Sequence, residues 1–215
     1  MPVTSLLGDR TLAELVEHLG NVDLQRIRVE PAPGLARPRD VQRIREREKR
    51  LFELVDGVLV EKVMGFRESL VALAIARLIG AFVSRLNLGV VAGADGMMRL
   101  LDDTVRIPDV AFIAWAKLPG GKVPDHAVPN VCPSLAVEVL SAGNTVTEMR
   151  RKRAEYFEAG VEIVWEIDIE DRYLTAYTQS EEPDRYEAHD VVTCSVLPGF
   201  VLPLEEVFEE LDRHA

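Results

Sequence analysis

Residues 135–169 constrain the fold more than any other stretch, because they read as strand, helix and strand. "LAVEVLS" (135–141) is a short apolar run rich in β-branched residues, the signature of a buried strand. Thr145 and Glu148 offer a capping box for a helix that runs to about Ala159, with Gly160 placed to end it. "VEIVWEIDI" (161–169) is the next strand, and "YLTAYT" (173–178) pairs with it across Asp171-Arg172. Two strands joined through a helix imply a right-handed crossover between parallel neighbours. The expected class is therefore α/β, a mixed sheet carrying helices on its faces. One residue resists this pattern. Glu138 stands at the centre of the first strand, where a lone carboxylate is expensive.

The rest of the chain fits around that unit. Thr11 to Leu19 predicts a short helix with a capping box at Thr11 and Glu14. "EPAPGLARPRD" (30–40) is proline-rich and reads as a linker or crossing arm, and "VQRIREREKR" (41–50) as a charged, solvated helix. "FELVDGVLVEK" (52–62) is a hairpin whose Asp56-Gly57 pair tolerates the positive φ of a tight turn. Residues 67–86 form a long helix, apolar over much of its circumference and so expected to be well buried. "VRIPDVAFIAW" (105–115) reads as one strand with a proline near its start, and a short helix near Leu204–Leu211 closes the chain.

Composition narrows the function. The 215 residues are 47% hydrophobic and 28% charged, as in a soluble protein with a sizeable core. No long apolar stretch opens the chain, and the run Leu70 to Val83, broken by Arg77, is too short to span a bilayer, so neither secretion nor a membrane partner is expected. Cys132 and Cys194 lack metal-ligand spacing and read as free thiols of a cytoplasmic protein. The net charge of −11 opposes non-specific nucleic-acid binding, although clustered charge matters more than the sum.

A second acid stands out beside Glu138. Asp109 lies in "RIPDVAFI"; if its strand neighbours that of Glu138, the two carboxylates meet as hard oxygen donors for Mg²⁺ or Mn²⁺. The competing explanations are a buried arginine beside Glu138 and a turn cap at Asp109. Metal-assisted phosphodiester hydrolysis also needs a cation near the attacking water. The same-face position two residues after Glu138 is Leu140, so a lysine is missing there, and the next basic group is "RRKR" (150–153) on the following helix. On that helix Val146, Met149, Tyr156 and Phe157 form the apolar side, while Glu148, Arg151, Glu155 and Glu158 face away. Arg153 falls within the apolar sector and Lys152 on its flank, and periodicity does not choose between them.

"FELVDGVLVEK", "VRIPDVAFI", "LAVEVLSAGNT", "KRAEYFEAGVEIVWEID" and "VLPGFVLPL" together resemble successive blocks of the Uma-two endonuclease family, in order, from about Leu51 to Phe208. That family belongs to the PD-(D/E)XK, or restriction-endonuclease-like, superfamily. The resemblance implies a mixed central β-sheet flanked by helices over 51–215, with residues 1–50 as an N-terminal helical extension and arm. It implies a Mg²⁺- or Mn²⁺-dependent nuclease acting on DNA, with Asp109, Glu138 and the Val139 carbonyl as metal ligands. Lys152 matches the lysine that such members place on the following helix, which selects it over Arg153. Glu53 matches a recurrent acid of the first hairpin. Many members carry a histidine where this chain reads "GFRES", and Glu68 is the candidate replacement, with a first-turn acid favoured by the helix dipole as the alternative. His126 lies in a loop without a partner, and His18, His189 and His214 read as surface residues. A homodimer would suit an enzyme cutting two strands. The rival reading is a catalytically weak or inactive nucleic-acid-binding or protein-interaction module on the same fold.

Overall fold

The computed structural model describes residues 11–179 and 182–212. His214 lies outside them. Chain order gives α1 (Leu12–His18), β1 (Ile27–Arg28), α2 (Pro38–Glu48), β2 (Phe52–Val55), β3 (Val58–Glu61), α3 (Phe66–Leu86), β4 (Gly89–Gly93) and β5 (Met98–Leu101). There follow β6 (Thr104–Arg106), β7 (Val110–Ala114), β8 (Leu135–Leu140), α4 (Val146–Glu158), β9 (Ile163–Asp168) and β10 (Tyr173–Thr178). The chain ends with β11 (Asp184–Glu187), β12 (Val191–Thr193), β13 (Val201–Pro203) and α5 (Leu204–Asp212).

The strands form a mixed sheet ordered β11-β10-β9-β8-β7-β4, an antiparallel sheet ordered β1-β3-β2-β6-β5, and the small pair β12-β13. β8 and β9 are parallel, as a strand–helix–strand unit requires, and β9 and β10 pair antiparallel. Alternation along β8 separates two cores. Leu135, Val137 and Val139 pack with Val71, Ile75 and Ile79 of α3. Ala136 packs with Tyr156 of α4 and Val164 of β9. Glu138 shares the Ala136 face by the period of two, so its carboxylate is aimed at α4.

The expected single strand over 105–115 is two strands in two different sheets. β6 pairs with β2 and β5, whereas β7 pairs with β4 and β8. Pro108 has no N–H to donate and holds Ile107 in an extended conformation, which favours a break there. The chain crosses between sheets at Ile107–Asp109, which puts Asp109 at their junction.

The hairpin turn is as tight as its sequence demands: Asp56 has φ 47° and Gly57 φ 74°. A Cβ on Gly57 would stand 2.6 Å from Gly34, whose segment donates two backbone hydrogen bonds to the Gly57 carbonyl. That anchors the proline-rich arm. α2 begins at Pro38 and buries Val41 and Ile44 against Phe52 and Leu54. The reciprocal capping box of α1 forms, whereas at α4 only Thr145 caps and the Glu148 carboxylate turns to Arg26 instead.

α3 is less buried than its composition suggests. Val71, Ile75, Ile79 and Val83 are covered, yet Leu73 is 67% and Phe66 78% exposed. At 21 residues it is long and apolar enough to cross a membrane by length and composition, contrary to the expectation from its shorter apolar run. In this fold it packs on β4, β7, β8 and α5.

Candidate active site

Five charged side chains converge where the two sheets meet. Glu53 comes from β2, Lys62 from the residue after β3, Asp109 from the junction before β7, Glu138 from β8 and Lys152 from α4. Lys152 Nζ lies 2.9 Å from Glu138 Oε2 and 3.1 Å from Glu53 Oε1. Lys62 Nζ lies 2.6 Å from Asp109 Oδ1 and 3.8 Å from Glu138 Oε2, and donates to the Ile107 carbonyl. The cation thus bridges the two acids singled out from sequence. The backbone N–H of Val139 donates to Asp109 Oδ2 at 2.7 Å, and the Tyr156 hydroxyl donates to Glu138 Oε1 at 2.5 Å.

A second layer fixes these groups. Glu53 Oε2 accepts from Arg106 at 2.7 Å, and its Oε1 accepts from the Ile107 N–H at 3.0 Å. Arg106 also holds Glu155. Glu53, Arg106, Asp109, Glu138, Lys152 and Glu155 are all buried. Buried charges survive only when paired and hydrogen-bonded, and this set satisfies that condition internally.

The electrostatics divide the acids. Burial pushes Glu53 up, but Lys152, Arg106, Lys62 and the Ile107 N–H together hold its carboxyl far below the ordinary range. Glu138 goes the other way. Burial raises it most, the Asp109 and Glu53 carboxylates add to that, and Lys152 and Lys62 only partly compensate. Burial alone would lower Lys152, yet Glu138 and Glu53 keep it above the ordinary lysine range and therefore an ammonium. Tyr156 is pushed well up, chiefly by burial and the Glu138 charge, so it remains a proton donor.

Glu53, Lys62, Asp109, Glu138 and Lys152 line a cavity of about 20 Å³ together with Val139, Glu68, Ser141 and Asn144. That is room for roughly one water or small ion. It adjoins a cleft of about 500 Å³ with which it shares Arg26, Val63, Glu68, Ser141 and Asn144. Glu68 lines both spaces, and its carboxylate makes no ion pair or hydrogen bond among the described residues. Arg153, the alternative to Lys152, points elsewhere: it binds Glu166 at 2.6 Å and stacks over Tyr177.

Two expectations for α4 fail. Glu148 and Glu155 are buried rather than facing away, and Val146 is 75% exposed. Two different neighbours are the cause: the N-terminal extension covers Glu148, and Arg106 of β6 holds Glu155. Arg26 makes a two-pronged pair with Glu148 and also donates to Glu61 and Gly143, and Arg151 donates to the His18 carbonyl. His18 is correspondingly half-buried, 2.8 Å from Asp56, whereas His126 and His189 are exposed.

Lys62, Arg106 and Tyr156 are the site residues that sequence reasoning passed over. Lys62 ends the hairpin block, and Arg106 immediately precedes Ile107-Pro108-Asp109; a cation at each edge of a junction holding buried acids was the available signal. Tyr156 was read only as an apolar residue.

The comparisons agree with this architecture. A solved structure titled a "putative nuclease belonging to DUF820", from Anabaena variabilis, superposes with a TM-score of 0.68 at 18% identity. The match covers 76% of this chain and 92% of that one, and it shows a shared restriction-endonuclease-like fold. No curated protein matches. The model of the Uma2 family, described as "Putative restriction endonuclease", matches residues 38–205, and on that match this chain belongs to the Uma2 family.

Proposed function

We propose that this protein is a metal-dependent nuclease that hydrolyses phosphodiester bonds in DNA. The observation that carries the reading is the convergence of Asp109, Glu138 and Lys152 on one small polar cavity beside an open cleft. Family membership supports nuclease activity in general; the metal and the DNA substrate are our inference.

The donor set fits a magnesium-type ion. Among the described residues no group of three or more His, Cys, Asp or Glu comes close enough to hold a metal. Mg²⁺ does not require one, because it keeps several waters and is usually held by one or two carboxylates plus substrate phosphate. Asp109 and Glu138 are two such carboxylates, and Lys62 Nζ already sits between them as a single positive charge. Asp109, Glu138 and the Val139 carbonyl would hold Mg²⁺ or Mn²⁺. When bound, the ion polarises a phosphoryl oxygen and lowers the pKa of its water.

The chain's own groups prepare that chemistry. Tyr156 ties down Glu138 Oε1 and so commits Oε2 to the cation side. Lys152 Nζ, protonated and fixed by Glu53, can donate to a phosphate oxygen or to the attacking water, stabilising negative charge as it develops. Arg106 fixes Glu53 in turn. Plasmid and oligonucleotide cleavage with Mg²⁺ or Mn²⁺ tests the reading: wild type should cut and Asp109→Asn should not. A wild type inert on all DNA and RNA substrates would overturn it.

One observation favours a second reading, a binding module without catalysis. Both candidate metal ligands are already neutralised by Lys62 and Lys152, and the chain is strongly acidic. Calorimetry with Mn²⁺ separates the two. The module reading expects no heat that depends on Glu138, whereas the nuclease reading expects heat that Glu138→Gln abolishes.

A further inference from the structure

The charged helix assigned a merely solvated role from sequence has features that this role leaves unexplained. Residues 37–50 (RPRDVQRIREREKR) hold seven Lys or Arg against three Asp or Glu, in a chain of net charge −11. Among the described residues, the side chains of Arg39, Arg47 and Lys49 make no ion pair or hydrogen bond, although the chain carries 36 acids. Helix electrostatics explain part of this. Cations in the last turn of α2, such as Arg45 and Arg47, complement the helix dipole. Arg39 stands in the first turn, where a cation is unfavourable, and Lys49 lies beyond the helix in a left-handed conformation, φ 59°.

The placement of this cluster supplies the missing reason. Lys49 and Arg50 line a cleft of about 470 Å³ whose wall continues through Lys62 and Met64. Lys62 and Met64 also line the site cavity, which joins the 500 Å³ cleft at Arg26. The cavity therefore adjoins two clefts, each within the size range of a nucleotide-sized ligand. Their charges differ. Lys49, Arg50 and Lys62 outnumber Glu61 and Asp95 in the first, whereas Asp23, Glu61 and Glu68 outnumber Arg26 in the second.

We propose that α2 with Lys49 and Arg50 is the track that binds the DNA phosphate backbone and leads one strand past Lys62 into the site. The proposal rests on the nuclease reading and commits it to an entry side. Arg39, Arg47 and Lys49, whose side chains have no partner among the described residues, match a polyanion, and Arg50, held by Glu61, carries the cluster to the cleft. Clustering lets them act together where the net charge would repel.

The test is fluorescence anisotropy of a labelled 30-base-pair DNA duplex in EDTA, titrated with salt. It compares wild type, Asp109→Asn, and a triple variant Arg39→Gln, Arg47→Gln and Lys49→Asn. Gln preserves helix propensity and Asn tolerates the positive φ, so circular dichroism and melting should match wild type. Each lost phosphate contact lowers the log–log salt slope by about 0.9. The triple variant should lose two to three such contacts, with affinity at low salt falling at least about tenfold. Asp109→Asn removes a charge from the site and none from the track, so it should keep the wild-type salt slope. An unchanged slope in the triple variant overturns the proposal, as do tighter binding of an RNA probe and a wild type that binds no DNA. If wild type cuts DNA while the triple variant binds normally, only the track falls. If the track behaves as expected but no protein cuts with Mn²⁺, only the nuclease reading falls.

Discussion

Glu138 and Glu166 are register partners on the parallel strands β8 and β9, both buried, and each meets a cation from consecutive positions of α4. Their surroundings nonetheless differ in kind. Glu166 is held by one arginine whose guanidinium also lies over Tyr177. Such a planar, permanently charged fork suits a fixed structural pair. Glu138 shares a compact lysine with Glu53 and faces a second lysine that bridges to Asp109. An ammonium is a point charge that can change partners. A buried carboxylate therefore signals structure or chemistry by how many groups compete for its cation, and the strand pattern does not report that.

Cleavage should break this symmetry most sharply. Glu138→Gln should lower metal-dependent cutting by more than about 100-fold, beyond the usual cost of disturbing a metal site's outer partners. Glu166→Gln should leave cutting within a few-fold of wild type in the same plasmid assay. Equal losses would sink the distinction. Stability should follow the same order. Lys152→Met leaves Glu138 and Glu53 without their shared cation and should cost about 3–5 kcal/mol, the usual penalty for breaking a buried pair. That corresponds to a melting temperature lower by roughly 6–20 °C. Arg153 is partly exposed, so Arg153→Met should cost only about 1–2 kcal/mol.

Lys62 sharpens the comparison, because among the described residues Glu166 has no second cation like it. Lys62→Met removes the single charge between Asp109 and Glu138. Melting in EDTA should occur several degrees lower than for wild type. Mn²⁺ affinity should rise by about tenfold, or roughly 1.4 kcal/mol, since the ion no longer competes with an ammonium. Calorimetry reads this without any turnover. Weaker Mn²⁺ binding in Lys62→Met would mean that the lysine supports the site rather than occupying it.

Much of this contrast was legible in the sequence and part of it was not, for identifiable reasons. Glu138 stood out because alternation made its strand position costly, and the parallel β8–α4–β9 unit followed from capping residues and apolar runs. Lys62 did not stand out. Its role depends on the hairpin's sheet abutting the Asp109 junction, a relation between sheets with no sequence period. Reading 105–115 as one strand hid that junction, since Pro108 marks a change of sheet and not merely a strand start. The burial of Glu148 and Glu155 was hidden for a similar reason. A helical wheel identifies one buried face, whereas here Arg26 of the extension covers Glu148 and Arg106 of the hairpin's sheet covers Glu155.

The smallest expected effect lies at the outer end of the same helix. Arg151, beside Lys152, pairs with Glu155 and with Asp56, which also binds His18. Burial pushes Asp56 up, but the His18 and Arg151 hydrogen bonds outweigh it and hold the carboxyl below its ordinary range. A depressed carboxyl stabilises the fold above its unfolded pKa of roughly 4, and that stabilisation is lost as pH falls through the folded value. Asp56→Asn keeps the turn, because Asn accepts positive φ. Asp56 is 37% exposed, so solvent screening limits the loss to about 0.5–1 kcal/mol at pH 7. The gap from wild type should close as the pH is lowered below roughly 4, measured by urea unfolding at each pH. Cleavage at pH 7 should be unchanged, because Asp56 reaches the site only through Arg151, Glu155, Arg106 and Glu53 in turn. A large loss of cleavage in Asp56→Asn would show that this outer chain of ion pairs sets the position of Lys152, and the line drawn between the inner and outer charges of α4 would have to move.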